Sequence, residues 1–149
     1  MTPGEARRRF ASARVAHLAT SDARNRPHVV PIVFAVDGDT VYSAVDHKPK
    51  RSTQLRRLAN IAENPAVALL VDFYDDVDWD RLWWVRAEGT GRVVTPGSEE
   101  HALALSGLKN RYAAYEDQPP TGVMVAVDVR RWSGWTAGAT TTDPGNSPA

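Results

Sequence analysis

The sequence predicts a mainly β protein, an antiparallel barrel or sandwich carrying two or three short helices. Six or so segments rich in β-branched and aromatic residues are separated by turn signals, among them Asp37-Gly38-Asp39 and the polar run from Ser21 to Pro27. Helical periodicity is confined to short stretches, and strands do not alternate with long helices as they would in a parallel sheet. At 149 residues the chain reads as one domain, residues 1–136, followed by a polar tail, 137–149, that has no apolar anchor and is expected to lack order.

Residues 2–13 read as a short helix with Thr2 as N-cap, Pro3 in the first helical position and Glu5 in the first turn. A strand over 14–20 turns through Ser21 to Pro27 into a second over 28–36. Pro31 lies inside that second strand, and because proline cannot donate to a ladder it marks an edge, a bulge or a place where something other than a strand lies alongside. Residues 40–45 return as a third strand and lead into a helix that opens near Ser52 and stops before Pro65. Residues 66–72, almost entirely apolar, read as a buried strand. A long strand or bent pair over 81–94 follows, with Gly89 and Gly91 as its bend. Trp83 and Trp84 must point to opposite faces there, so one of them is expected to meet a ligand or another subunit. A further helix starts at Thr95-Pro96, a polar linker passes Pro119 and Pro120, and a last strand over 122–129 precedes the closing segment RRWSGW.

Composition excludes several function classes. The formal net charge is zero, so a whole-surface attraction to nucleic acid or to an anionic membrane is not expected. No cysteine is present, which removes disulfides, thiol nucleophiles and thiolate metal sites. No apolar run reaches the length of a membrane span and the N-terminus lacks a signal core, so a soluble cytoplasmic protein is expected. His17, His28, His47 and His101 show no metal-ligand spacing and read as structural. Asp76, Asp78 and Asp80 are followed by Arg81 where a calcium loop needs glycine, and read as a solvated loop. Neither a nucleophile elbow nor a glycine-rich phosphate loop occurs, so no catalytic residue is assigned and any chemistry must arrive with a cofactor.

The segment VYSAVDHKPKRSTQLRRLANIAENP carries the strongest functional signal. Lys48, Lys50, Arg51 and Arg56 crowd the start of its helix, where the macrodipole already disfavours cations. An anion bound at the free N–H groups turns that repulsion into attraction. Two of the chain's three lysines, against fifteen arginines, stand at positions 48 and 50, where a compact ammonium follows a phosphate oxygen better than a rigid guanidinium does. A solvated basic loop is the competing reading.

These segments, in this order, resemble the split-barrel flavin-binding superfamily of pyridoxamine-phosphate-oxidase-like proteins, and within it the deazaflavin-dependent reductases that use coenzyme F420. RPHVVPIVF resembles the family strand whose backbone lines the flavin ring, YSAVDHKPKRSTQL its phosphate-binding strand-turn-helix, VRAEG its central strand, and Trp132-Ser133-Gly134 its C-terminal Trp-x-Gly. The resemblance implies an antiparallel split β-barrel (the FMN-binding split barrel) and a homodimer. It also implies a reaction in which reduced F420, or FMN in the alternative, passes a hydride to an electron-poor small molecule. A non-catalytic carrier of flavin, heme or another tetrapyrrole is the rival of a different class. Carried over by position, Pro31, Ile32 and Val33 would line the ring, Ala44 and Val45 its edge, and Lys48, Lys50 and Arg51 the phosphate. Arg56 and Arg57, with Arg92 added, would meet the anionic tail of F420, while Trp84, Arg86 and Trp132 would come across the dimer interface. The chain departs from the oxidases in carrying Trp84 where they have a polar glutamine and in lacking their Arg-x-His after Gly134, which argues against oxidation of a phosphopyridoxal.

A charge-assisted phosphate contact contributes about 1.5–3 kcal/mol. Lys50→Ala is therefore expected to weaken cofactor binding roughly ten- to a hundredfold, with a shallower salt dependence, and Arg111→Ala to weaken it less. Binding isotherms at several salt concentrations check this, and an unchanged affinity would remove the anion cradle.

Overall fold

The computed structural model describes residues 1–45 and 51–138, with the backbone alone described for 51–55. Seven strands form one antiparallel sheet: β1 (Ala16–Ser21), β2 (Pro27–Ile32), β3 (Ala35–Asp37), β4 (Thr40–Ala44), β5 (Ala66–Phe73), β6 (Trp83–Val94) and β7 (Met124–Thr136). Among the described residues four α-helices accompany them, α1 (Pro3–Ser12), α2 (Arg51–Glu63), α3 (Glu99–Arg111) and α4 (Ala113–Asp117), with a single 3-10 turn at Trp79–Arg81. None of the described helices is long and apolar enough to cross a membrane.

The strand order is β2-β1-β5-β6-β7-β4-β3, so the sheet ends in β2 and β3. Only Val33 and Phe34 join those two strands in the chain. Three Cα steps reach at most about 11 Å, whereas opposite edges of a flat seven-stranded sheet lie about 29 Å apart. The sheet therefore curls until its edges meet without pairing, and the result is a split barrel. Pro31 sits where its missing donor costs least, on edge strand β2, paired with His17 on one side only.

Inward residues of the strands fill the barrel, with Leu18, Leu69, Val85 and Val125 among the most buried, together with Phe34 of the joint. The two first helices close opposite ends. α1 begins as its sequence dictates, with the Thr2 hydroxyl accepting from the Glu5 N–H, and inserts Phe10 against Phe34 and Trp132 at centroid distances of 4.9 and 5.3 Å. α2 lays Ile61 over Gly91, where any Cβ would come within 3.2 Å of the isoleucine. A second, smaller core forms outside the barrel, where Ala104 and Leu108 of α3 cover Tyr42, Ala44, Met124 and Ala126 of β4 and β7.

Several boundaries differ from the sequence expectation. The strand expected over 28–36 breaks at the joint into β2 and β3. α3 starts at Glu99, capped by the Ser98 hydroxyl accepting from the His101 N–H, rather than at Thr95-Pro96. The linker after it contains α4, and RRWSGW is the second half of a thirteen-residue strand. The bend at Gly89 is real, but its extra residue belongs to the neighbour: Glu88 pairs with Arg131 and Gly89 with Val129, which leaves Arg130 of β7 as the bulge. Gly89 lies so close to the Asp128 carbonyl that no Cβ fits. β5 is buried on one face only, with Leu70 39% exposed on the other.

The joint is held from outside the sheet. The Tyr112 hydroxyl accepts from the Phe34 N–H at 3.1 Å and lies 3.0 Å from the Phe34 carbonyl and 2.9 Å from that of Arg14. The Arg111 guanidinium donates to the carbonyls of Ala11 and Ala13 at the end of α1 and lies over the Phe34 ring. Arg111 is thus a structural latch and no bystander, and exposed Arg8 is the better comparison for Lys50→Ala. Tyr112→Phe leaves the Phe34 backbone without this partner and is expected to lower stability by about 1–3 kcal/mol in urea unfolding.

Candidate functional site

Helices α3 and α4 pack on the outer surface of β3, β4 and the start of β7. Among the described residues no helix lies on the outer face of β2, β1, β5, the start of β6 and the end of β7, and strand register sets what that face displays. One row runs Pro31, His17, Leu70, Arg86, Ser133, and the next runs Asp72, Trp84, Trp135. Around them opens a cleft of about 520 Å³, lined by His17, Val29, Leu70, Tyr74, Trp84, Arg86 and Trp135 among others. Val29 on β2 and Tyr74, just past the end of β5, are each 60% exposed, an unusual display of apolar surface around one cleft.

Arg86 lies over the Trp84 ring, 5.5 Å from its centroid, and its Nε is 3.8 Å from a Glu88 oxygen, too far for a hydrogen bond. Arg86 Nε and Ser133 Oγ, on register partners, are both closed off from water without a hydrogen-bond partner. Buried polar atoms left in that state cost about 1–3 kcal/mol each, so a group that meets them here is favoured. Two indoles, a guanidinium and two waiting polar atoms beside aliphatic surface suit a flat, largely apolar molecule with an electron-rich edge.

The residues expected from sequence separate into three places. Trp84 and Arg86 stand in the cleft, with exposed Pro31 on the same face. Ile32, Ala44, Val45 and Trp132 are buried in the cores, with Val33 in the joint. For Trp132 this is a correction: it packs on Phe10 inside the barrel and its Nε1 donates to Asp39 at 2.9 Å, while Trp135 takes the outward place beside Trp84. Arg56 lines a separate cleft near the β1–β2 turn, and Arg57 is buried on the same helix. Lys48 and Lys50 lie outside the described residues, as does the Arg51 side chain. His17, Leu70 and Trp135 were missed, although strict alternation through HLATS and AVALLVD places His17 and Leu70 opposite the buried residues.

The family model described as pyridoxamine 5′-phosphate oxidase matches residues 2–136. The chain belongs to the pyridoxamine 5′-phosphate oxidase family. Among solved structures, a FAD-binding protein from Mesorhizobium loti is similar at 20% identity and a TM-score of 0.67, over 90% of this chain and 94% of that one. The heme storage protein HutZ from Vibrio cholerae is similar at 17% identity and 0.67, over 91% and 95%. A heme binding protein from Mycobacterium smegmatis reaches 0.72 at 20% identity, covering 95% of this chain and 56% of that one. At such identities the likeness establishes the fold alone. No protein of curated function matches the sequence.

In this member of the oxidase family Arg92 is not available to a ligand, contrary to the sequence expectation. Its guanidinium donates to both Glu100 oxygens at 2.6 Å and to Asp128 at 2.7 and 3.1 Å. Tyr42 and Thr40 donate to the same two carboxylates. The cluster of one cation and two anions ties α3 to β4, β6 and β7. Hydrogen bonding from Arg92, then from Tyr42, holds the Glu100 carboxyl down to about 2, from an ordinary 4.5. Burial, then the bond to Glu100, pushes the Tyr42 hydroxyl up to about 12. Arg92 likewise keeps Asp128 below its ordinary value.

A depressed carboxyl stabilises the fold above its unfolded value and loses that contribution as pH falls through the folded one. Stability is therefore expected to drop between pH 4.5 and about 2. Because the pair is a third or more exposed, Glu100→Gln is expected to cost only about 1 kcal/mol at neutral pH and to flatten that acid limb. Chemical denaturation across the pH range checks both effects.

Proposed function

We propose that this chain works as a homodimer which holds reduced coenzyme F420 and presents to it an electron-poor small molecule, with FMN as the alternative cofactor. The observation that supports the reading best is the bare outer face, with Trp84, Trp135 and Arg86 around a cleft whose buried polar atoms have no partner. A second subunit laid on that face would cover its apolar surface and add the walls that one barrel lacks. The cofactor, once bound, supplies the hydride. The protein's own part is to bind, orient and exclude water: the cations before and along α2 hold phosphate and carboxylates, the indoles offer flat contact surface, and Arg86 steers an electron-rich edge.

The choice of F420 over FMN rests on charge beyond one phosphate. Lys48, Lys50 and Arg51 suffice for FMN, while Arg56 and Arg57 add further positive charge along α2 for an anionic tail, and Arg92 no longer counts toward it because its two carboxylates neutralise it. A carrier role is the second reading, favoured by solved neighbours that are heme binding or heme storage proteins and by the presence of His17 in the cleft.

Titration of the purified apo-protein at fixed ionic strength is expected to show F420 bound at least about tenfold tighter than FMN, a difference of roughly 1.4 kcal/mol. Equal or tighter FMN binding moves the assignment to the flavin. Tight hemin binding without turnover of any acceptor by reduced F420 or FMN would establish the carrier instead. Sedimentation of the loaded protein is expected to show a dimer, and a folded monomer of full affinity would remove the shared site.

A further inference from the structure

At the far end of the sheet from Trp84, a second cleft of about 350 Å³ lies between the β1–β2 turn and α2, lined by Asp22, Arg26, His28, Arg56, Asn60 and Glu63. Most of its polar groups are already engaged. Asp22 accepts from the Arg24 and Arg26 N–H groups at 2.8 and 3.0 Å and from Arg26 Nε at 2.7 Å. Glu63 accepts from the Ala23 N–H at 3.1 Å, and the Asn60 amide donates to the Thr20 hydroxyl at 3.0 Å. Two groups remain: Arg56, which makes no ion pair among the described residues, and His28, whose Nδ1 is closed off from water without a hydrogen-bond partner.

We propose that this cleft is an oxyanion subsite in which Arg56 and the His28 imidazole together take a carboxylate or phosphate group. A cation beside a buried, unpartnered imidazole nitrogen is an arrangement that an anion completes: it pairs with the guanidinium and accepts from the ring N–H. A metal cation is disfavoured, because Arg56 and the buried Arg57 already place positive charge beside the ring. The charged groups that face His28 are Arg56, Arg57 and Glu63 from α2 and Asp22 and Arg26 from the turn. Burial first, then Arg56 and Arg57, keep His28 below its ordinary 6.5, so the free ring is neutral at pH 7. A bound anion reverses the electrostatic part of that effect, so binding is coupled to proton uptake and strengthens as pH falls.

Only the natural identity of the anion rests on the function proposed above, where a tail carboxylate of F420 is the candidate; a free phosphate group shares the chemistry. The test follows the His28 ring signals of labelled apo-protein by NMR as a function of pH, alone, with inorganic phosphate, and with triglutamate. The expected result is a rise in the His28 midpoint of about half a pH unit or more with at least one of these anions. Arg56→Gln, an exposed position, is expected to raise the ligand-free midpoint and to weaken the anion about five- to tenfold. A response to triglutamate assigns the subsite to carboxylates, and a response to phosphate alone assigns it to phosphate. No movement of His28 with either anion overturns the subsite even if F420 binds elsewhere. Movement of His28 in a protein that fails to bind F420 keeps the subsite and overturns the functional reading.

Discussion

A two-residue joint governs this molecule. Val33 and Phe34 connect strands that lie at opposite ends of a seven-strand order, and so short a link forces the sheet to curl. Once curled, every strand has an inside and an outside, and the alternation of its side chains acquires meaning. The joint itself cannot pair as a strand, so its backbone groups need partners from elsewhere, and the Tyr112 hydroxyl provides them. Phe34 then serves as a plug, with Phe10 and Trp132 against it.

The same closure produces the asymmetry of the outer surface. α3 is long enough to cover β3, β4 and the near part of β7, and the Arg92 cluster pins it there. Among the described residues no helix reaches the far side. That side keeps Leu70, Val29 and two tryptophans outside, where a barrel built for stability alone would have polar residues.

Much of this was legible in the residues. Thr2-Pro3 announced the first helix, Pro31 the edge of the sheet, Gly89 a bend, and Trp83-Trp84 a conflict between faces, because each is a local rule that does not depend on the rest of the fold. What was not legible depended on pairing. The single extra residue Arg130 shifts the parity of β7: Val125, Val127 and Val129 point inward, and after the bulge Trp132 and Gly134 do. Without it Trp132 would face out and Trp135 in. No propensity marks that position, since the bulge exists through register with Glu88 and Gly89 of another strand. Arg92 was misread for a related reason, as its partners lie eight residues away on a helix and thirty-six away on a strand.

The place of β7 in the sheet has a consequence for how the barrel is made. It is the strand that joins β6 to β4, pairing with each along an entire edge, yet it follows every other strand in the chain. During synthesis the β1–β2 and β5–β6 hairpins can form as they emerge, but β4 and β6 each present an open edge until residue 136 has appeared. Such edges are templates for mispairing between nascent chains. The barrel closes only when the final strand zips shut, and that strand brings Ser133 and Trp135, the last side chains of the bare face, to residues of β1, β2, β5 and β6 that are already made.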